Sequence, residues 1–186
     1  ITTTASNDAP GDLSTPGSVR LVRTLPGPIE RVWAYLTDPA KRARWLCGGI
    51  LEQQAGGKAE FVMKHKELVP GETPPPGIPC GEDGGQTIPG RVLRCEPPRL
   101  LAFTFGSDDS EVTFELTPQG RDVLLVLTHR TRGEEVADLG GYSAGWHSHL
   151  NLLVAELAGT PRGPFWSTHL RLKAEYDQRL AAAGRA

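Results

Sequence analysis

The chain has 186 residues, 38% of them apolar and 23% charged, with a formal net charge of −2. That length suits one domain with a sizeable core. The near-neutral charge leaves no basic excess to neutralise phosphates, which excludes the usual nucleic-acid binder. No run reaches the ~18 apolar residues that span a bilayer, and no charged-then-apolar signal segment opens the chain, so a cytoplasmic protein without a membrane span is expected.

Residues 1–17 are mostly Thr, Ser, Asn, Asp, Gly and Pro and read as a loosely held tail. Residues 18–25 read as a strand, with Val19, Leu21 and Arg23 on one face, and Pro26-Gly27-Pro28 stops it. Ile29, Val32, Trp33 and Leu36 recur at helical spacing and predict a short helix. Asp38 and Pro39 then suit the N-cap and first turn of a second short helix, which is expected to run to about Trp45.

From residue 50 the period changes to two. Ala59, Phe61, Met63 and His65 share one strand face. Residues 67–90 break the pattern with prolines and glycines and read as a long surface excursion, either a lid over a pocket or an inserted loop. Strands follow at 91–96, 100–105, 111–117 and 121–129. The last has apolar residues on both faces, which predicts a central strand covered on both sides. Gly140 and Gly141 precede a long helix whose stripe is Trp146, Leu150, Leu153, Val154 and Leu157, ended by Gly159 and Pro161. A final helix begins near Pro164, with Phe165, His169, Leu172, Tyr176 and Leu180 on its apolar side. That side predicts packing against the domain's own sheet or first helices, or a homodimer interface.

The three cysteines, Cys47, Cys80 and Cys95, are far apart and form no Cys-x-x-Cys pair, so neither a disulfide framework nor a zinc ribbon is expected. His147 and His149 stand at i and i+2 on the long helix, ~200° apart, and cannot chelate one ion together. One is expected to face the pocket or sheet and the other solvent. No metal and no cofactor are expected. His65 and His129 end apolar strand faces and can point inward, either as hydrogen-bonded structural groups or as an acid or base. Glu134 and Glu135 are near His129 in sequence but fix no partner for it. There is no Gly-x-Ser-x-Gly, no His-Glu-x-x-His and no phosphate loop. Residues 140–145 read as a flexible, glycine-rich entry to the helix, a plain helix start or a hinge that admits ligand.

The order strand, two short helices, antiparallel meander and long helix resembles the Bet v 1/START-like (SRPBCC) superfamily. Within it, the chain is similar to the family of the C-terminal domain of the activator of Hsp90 ATPase. The likeness is carried by Arg23-Thr24-Leu25-Pro26 through Val32-Trp33 to Leu36-Thr37-Asp38-Pro39 and Trp45, by Leu125-Val126-Leu127-Thr128-His129, and by Gly145-Trp146-His147-Ser148-His149-Leu150 with Leu153 and Leu157-Ala158-Gly159. The resemblance implies an α+β helix-grip fold: a curved antiparallel sheet wrapped around a long C-terminal helix, with two short helices after the first strand and an extra C-terminal helix. Residues 18–159 are expected to form that domain and 160–186 a helical extension.

The resemblance also implies an internal cavity for a small hydrophobic or aromatic molecule. Its expected lining is Trp45, Phe61, Met63, Phe103, Phe105, Phe114, Leu127, His129, Tyr142, Trp146, His147 and Leu150, mostly apolar with a few polar tips. Relatives of this kind bind lipids, hormones or polyketides, and some act as aromatase/cyclases. A polyketide cyclase/dehydratase-like enzyme in the same cavity is therefore the alternative, and an Hsp90 partner a further one.

Overall fold

The computed structural model describes residues 6–78 and 85–184. Cys80 and the middle of the predicted excursion lie outside them. Strand β1 (Ser18–Pro26) is followed by helices α1 (Ile29–Thr37) and α2 (Pro39–Arg42). Next come β2 (Lys58–Lys64), a one-turn helix α3 (His65–Leu68), β3 (Gly85–Glu96), β4 (Leu100–Phe105), β5 (Ser107–Gln119) and β6 (Asp122–Thr131). A 3₁₀ segment (Gly133–Asp138) leads into α4 (Leu139–Ala158), and α5 (Trp166–Ala182) closes the chain. The six strands form one antiparallel sheet in the order β1-β6-β5-β4-β3-β2.

Alternation sets the sheet's inner face. Val19, Leu21 and Leu25 of β1, Val112, Phe114 and Leu116 of β5, and Val123, Leu125 and Leu127 of β6 are all buried. β6 is central in the sheet, but Leu124, Val126 and Thr128 are only half-buried, so its outer face lacks the second cover expected from its sequence. The long helix α4 packs over β1, and α5 packs on α4. Gly159 ends α4 in the left-handed conformation, at φ 66°, with its N–H bonded to the Ala155 carbonyl. The apolar side of α5, including Leu172, Tyr176 and Leu180, is buried. The chain's own α4 therefore covers the surface that the sequence also offered as a dimer face.

β3 starts six residues earlier than its sequence predicts and is paired in two halves. Its first half, Gly85–Arg91, pairs with β2, and its second, from Val92 onward, pairs with β4. Pro89 is tolerated because its carbonyl, bonded by the Gly106 N–H at 2.9 Å, faces the side where the β4 ladder has already ended. A Cβ at Gly90 would stand 2.3 Å from the Thr104 carbonyl oxygen. Only glycine allows the strand to change partners at that point. His65 turns out of the β2 face into α3, because the chain leaves the sheet there.

The N-terminal segment is not loose from residue 6 onward. Asp12 bridges Arg20 on the open edge of β1, and Leu13 is buried. The reason is Arg23, which lies on the buried face of β1 with 1% of its surface exposed. Its guanidinium donates to the Ala9 carbonyl at 3.0 Å, so the segment supplies an acceptor that the core lacks. Asp8 accepts from His147 Nε2 at 3.0 Å, and the Gly11 N–H donates to the Tyr176 hydroxyl at 2.7 Å. The strap thus ties β1 to both C-terminal helices and covers a sheet edge.

Arg42 organises the opposite end. It is 2% exposed, and its guanidinium donates to the carbonyls of Leu36, Thr37, Cys47, Gly48 and Gly49. These carbonyls close α1 and the turn toward β2; among them Gly48 also accepts from the Val62 N–H at 3.1 Å. The second helix is shorter than expected because the chain turns at once around this side chain.

No helix among the described residues is long and apolar enough to cross a membrane.

Candidate functional site

The concave face of the sheet is largely filled. Phe61, Phe103 and Phe105 pack together, Phe114 meets Trp45 and Trp146 edge-on, and Trp146 also touches Phe105. What stays open is a cavity of about 210 Å³ at one end. It lies between the β2–β3 edge (Met63, Gln86, Ile88), the first turns of α4 (Gly141, Tyr142, Gly145, Trp146, His149) and the start of α5 (Phe165, Trp166, His169). Leu46, His65, Ile78 and Phe105 complete the described lining. For scale, an apolar cavity of about 150 Å³ admits benzene, so this one suits a compact bicyclic molecule.

Of the twelve residues expected to line a cavity, Met63, Phe105, Tyr142 and Trp146 do so. Trp45, Phe61, Phe103, Phe114, Leu127 and Leu150 are instead buried in the core. They fill the space that the sequence expectation left open. His129 stands behind Trp146 and Tyr142. His147 points the other way, to Tyr176 and the strap.

The glycine-rich stretch 140–145, read either as a flexible entry or as a plain helix start, is helical and forms the first turns of α4. Two of its glycines, Gly141 and Gly145, line the cavity, and at Gly145 the helix surface is left open. A Cβ at Gly145 would meet no described atom within 4 Å. A glycine inside a helix costs about 0.5–1 kcal/mol relative to alanine, and here no packing contact demands it. Its effect is to keep space open.

The polar groups around the cavity can be followed atom by atom. The Trp146 indole N–H donates to His129 Nδ1 at 2.8 Å, which makes that nitrogen the bare one. His129 Nε2 therefore carries the hydrogen and faces the Ser110 hydroxyl at 2.8 Å. Burial pushes the His129 pKa down to about 3, so the ring is a neutral structural link. The Tyr142 hydroxyl donates to Glu135 at 2.6 Å, and Ser107 donates to the other oxygen of the same carboxylate at 2.8 Å. Burial, then Glu135, raises the Tyr142 pKa.

His149 Nδ1 lies 2.8 Å from the Trp45 carbonyl, which can only accept, so Nδ1 carries the hydrogen. Its Nε2 faces Nε2 of His65 at 3.4 Å. Burial and then the neighbouring histidines lower His65 to about 4 and His149 to about 3, so both rings are neutral at pH 7. Burial also lowers His169. Neither His147 nor His149 faces solvent, contrary to the expectation, because α5 and the strap cover one and α3 the other. Among the described residues, no group of three or more His, Cys, Asp or Glu is arranged to hold a metal ion.

Sequence reasoning missed His149, Phe165, Trp166 and His169 as cavity walls. Their signal was present: Phe165, Trp166 and His169 fall at i, i+1 and i+4, one face of the last helix. What was hidden is that this face meets α3 and the open end of the sheet.

A curved antiparallel sheet carrying a long C-terminal helix, with an aromatic-walled hollow at its open end, is the helix-grip α+β class. The chain belongs to the family of activator of Hsp90 ATPase homolog 1-like proteins, whose sequence profile matches residues 26–158. It is similar to a Bordetella parapertussis protein solved in solution by NMR: 43% identity over 95% of this chain and 93% of that one, TM-score 0.77. CalU16 from Micromonospora echinospora is 27% identical over 89% of this chain and 86% of its own, TM-score 0.62. DynU16, a protein of the dynemicin biosynthetic locus, shares the fold at TM-score 0.58 and 20% identity, over 80% of this chain and 51% of its own. No curated protein matches the chain.

Proposed function

We propose that this chain binds a small, ring-bearing hydrophobic molecule in the cavity between α4, α5 and the β2–β3 edge, as a cytoplasmic ligand-binding module. The observation that carries the reading is the vacant helix surface at Gly145, beside Gly141 in the wall of a cavity that Met63, Phe105 and Phe165 also line. A mostly apolar hollow with a few placed polar groups is the usual form of a small-molecule site.

The test is a titration with 1-indanone, a nine-carbon bicyclic ketone, followed by backbone amide spectra. Saturable shifts at Gly141, Gly145 and residues 165–169 are expected. In Gly145→Leu the new side chain runs back toward the preceding turn, over Gly141. It should fill the hollow and weaken binding at least ~10-fold. Gly145→Ala should keep binding and raise stability by about 0.5–1 kcal/mol in urea denaturation, since the methyl enters open space. Shifts that scatter over the surface, or a leucine variant that binds as the parent does, would sink the reading.

The cyclase-like reading has one observation in its favour: the imidazoles of His65 and His149 meet in the cavity wall at 3.4 Å. Its histidine candidates are therefore these two and no longer His129 or His147. A turnover assay on a bound polyketone, repeated in His149→Gln, tests it. The Hsp90-partner reading rests on the family's name, and an ATPase assay with purified Hsp90 checks it.

A further inference from the structure

After α3 the chain leaves the sheet in a loop, residues 70–78, that reaches both the cavity and the start of α5. The loop holds four prolines, which have no N–H to give. Its backbone bonds among the described residues are local. The Glu72 N–H donates to the Val69 carbonyl at 3.2 Å, and the Ile78 N–H to the Pro75 carbonyl at 3.4 Å. Gly71 and Gly77 stand at φ 87° and 85°, left-handed turning points on either side of the stiff Pro74-Pro75-Pro76 run. Leu68 and Val69, just before the loop, are buried, and the Arg162 guanidinium donates to the Leu68 carbonyl at 3.2 Å. The chain is thus anchored where the loop begins.

One side chain ties the loop itself down. The Glu72 carboxylate accepts from the Phe165 N–H at 2.9 Å and 3.1 Å, one distance to each oxygen, and from the Trp166 N–H at 2.9 Å. These N–H groups open α5, whose own N-cap residue supplies no capping side chain. The carboxylate therefore meets orphan donors at the positive end of the helix. Phe165 and Trp166 both line the cavity, and so does Ile78 at the far end of the loop. We propose that residues 70–78 are a lid on the cavity and that Glu72 is its latch. Releasing the carboxylate from α5 frees the loop to turn at Gly71, takes Ile78 out of the lining and opens a way in for the small hydrophobic molecule. This rests on the binding reading above and adds to it what governs ligand entry.

The experiment uses the full chain and 1-indanone. Exchange between free and bound probe is followed by NMR. Relaxation dispersion of the Ile78 δ1 methyl reports lid opening without ligand, since lids of this kind move in microseconds to milliseconds. In the unaltered chain the probe should leave no faster than the lid opens. In Glu72→Ala association and dissociation should both speed up at least ~5-fold, the factor that one lost net hydrogen bond gives, with Kd held within ~3-fold. The open population at Ile78 should rise by the same factor. Glu72→Gln keeps an acceptor oxygen and loses the charge, so its rates should fall between the two. Glu72 lies outside the described lining, so faster exchange at a constant Kd marks a latch and not a wall.

Unchanged rates in both variants overturn the latch and leave the cavity reading standing. A weaker Kd with an unchanged association rate makes Glu72 a support of the wall and overturns the proposal as well. Probe that leaves the unaltered chain faster than Ile78 opens overturns the lid, whether or not the variants fold. If 1-indanone does not bind, the cavity reading falls, and the Ile78 methyl still decides whether Glu72 holds the loop.

Discussion

Acidification from pH 7 to pH 5 is expected to remove roughly 4–6 kcal/mol of folding stability, well before carboxylates begin to titrate. The cause is three imidazoles, two of them buried and His65 half-buried. His65, His129 and His149 have folded pKa values of about 4, 3 and 3, against an ordinary value near 6.5. Below pH 6.5 the unfolded chain takes up a proton at each site, while the folded chain does so only below about 4 or 3. The unfolded state thus binds more protons throughout that window, and stability falls as pH falls.

At pH 5 each histidine accounts for about 2 kcal/mol, because every pH unit below the unfolded pKa costs the neutral ring about 1.4 kcal/mol. The lower end of the range allows for His65 and His149 acting on one another. Set against the 5–15 kcal/mol that stabilises a typical domain, the loss brings the chain close to unfolding near pH 4. Urea midpoints at pH 7, 6 and 5 measure it. A midpoint constant over that range would contradict the burial and hydrogen bonding assigned to these rings.

Arg42→Ala is expected to cost about 3–4 kcal/mol, measured by urea denaturation at pH 7. The substitution removes the guanidinium from five carbonyls at the junction of α1, α2 and the turn to β2, of which Gly48 keeps the Val62 N–H as a donor. Each buried acceptor left bare costs about 1–3 kcal/mol, and those near the surface recover part of it from water. Arg42→Met separates the causes. It keeps most of the volume and none of the donors, so it should be nearly as damaging as alanine. A methionine variant as stable as the parent would show that Arg42 acts by packing alone.

The strand alternation of β1, β2, β5 and β6 and the helical stripes of α1 and α5 were legible in the sequence because each buries one face. Composition left the glycines open. Residues 140–145 read as a flexible entry or a plain helix start because glycine is a poor helix former, and packing against α5 and the neighbouring 3₁₀ segment accompanies the helix that forms there. Arg23 was read onto the same face as Val19 and Leu21, and that grouping did not reveal that the face is buried or that residues 6–13 must come back to meet it. The cavity was the least legible part. Large rings on inward faces look alike whether they fill a core or line a hollow. The distinction depends on how far α5 reaches over the open end of the sheet, which no local pattern encodes.

The divided pairing of β3 has a mechanical result. β2 is held by the first half of β3 and, among the described residues, on its other side by isolated bridges at Gly48–Val62 and Leu51–Ala59. Tilting this two-stranded leaf about Gly90, like a page on its spine, would part Phe61 from Phe103 and Phe105 and break the Gly106–Pro89 bond, but no rung between β1, β6, β5 and β4. Amides of residues 58–64 and 85–90 should exchange with solvent deuterium sooner than those of β6. Met63 and Ile88 ride on that leaf, so the hollow they border can widen at little cost to the rest of the sheet.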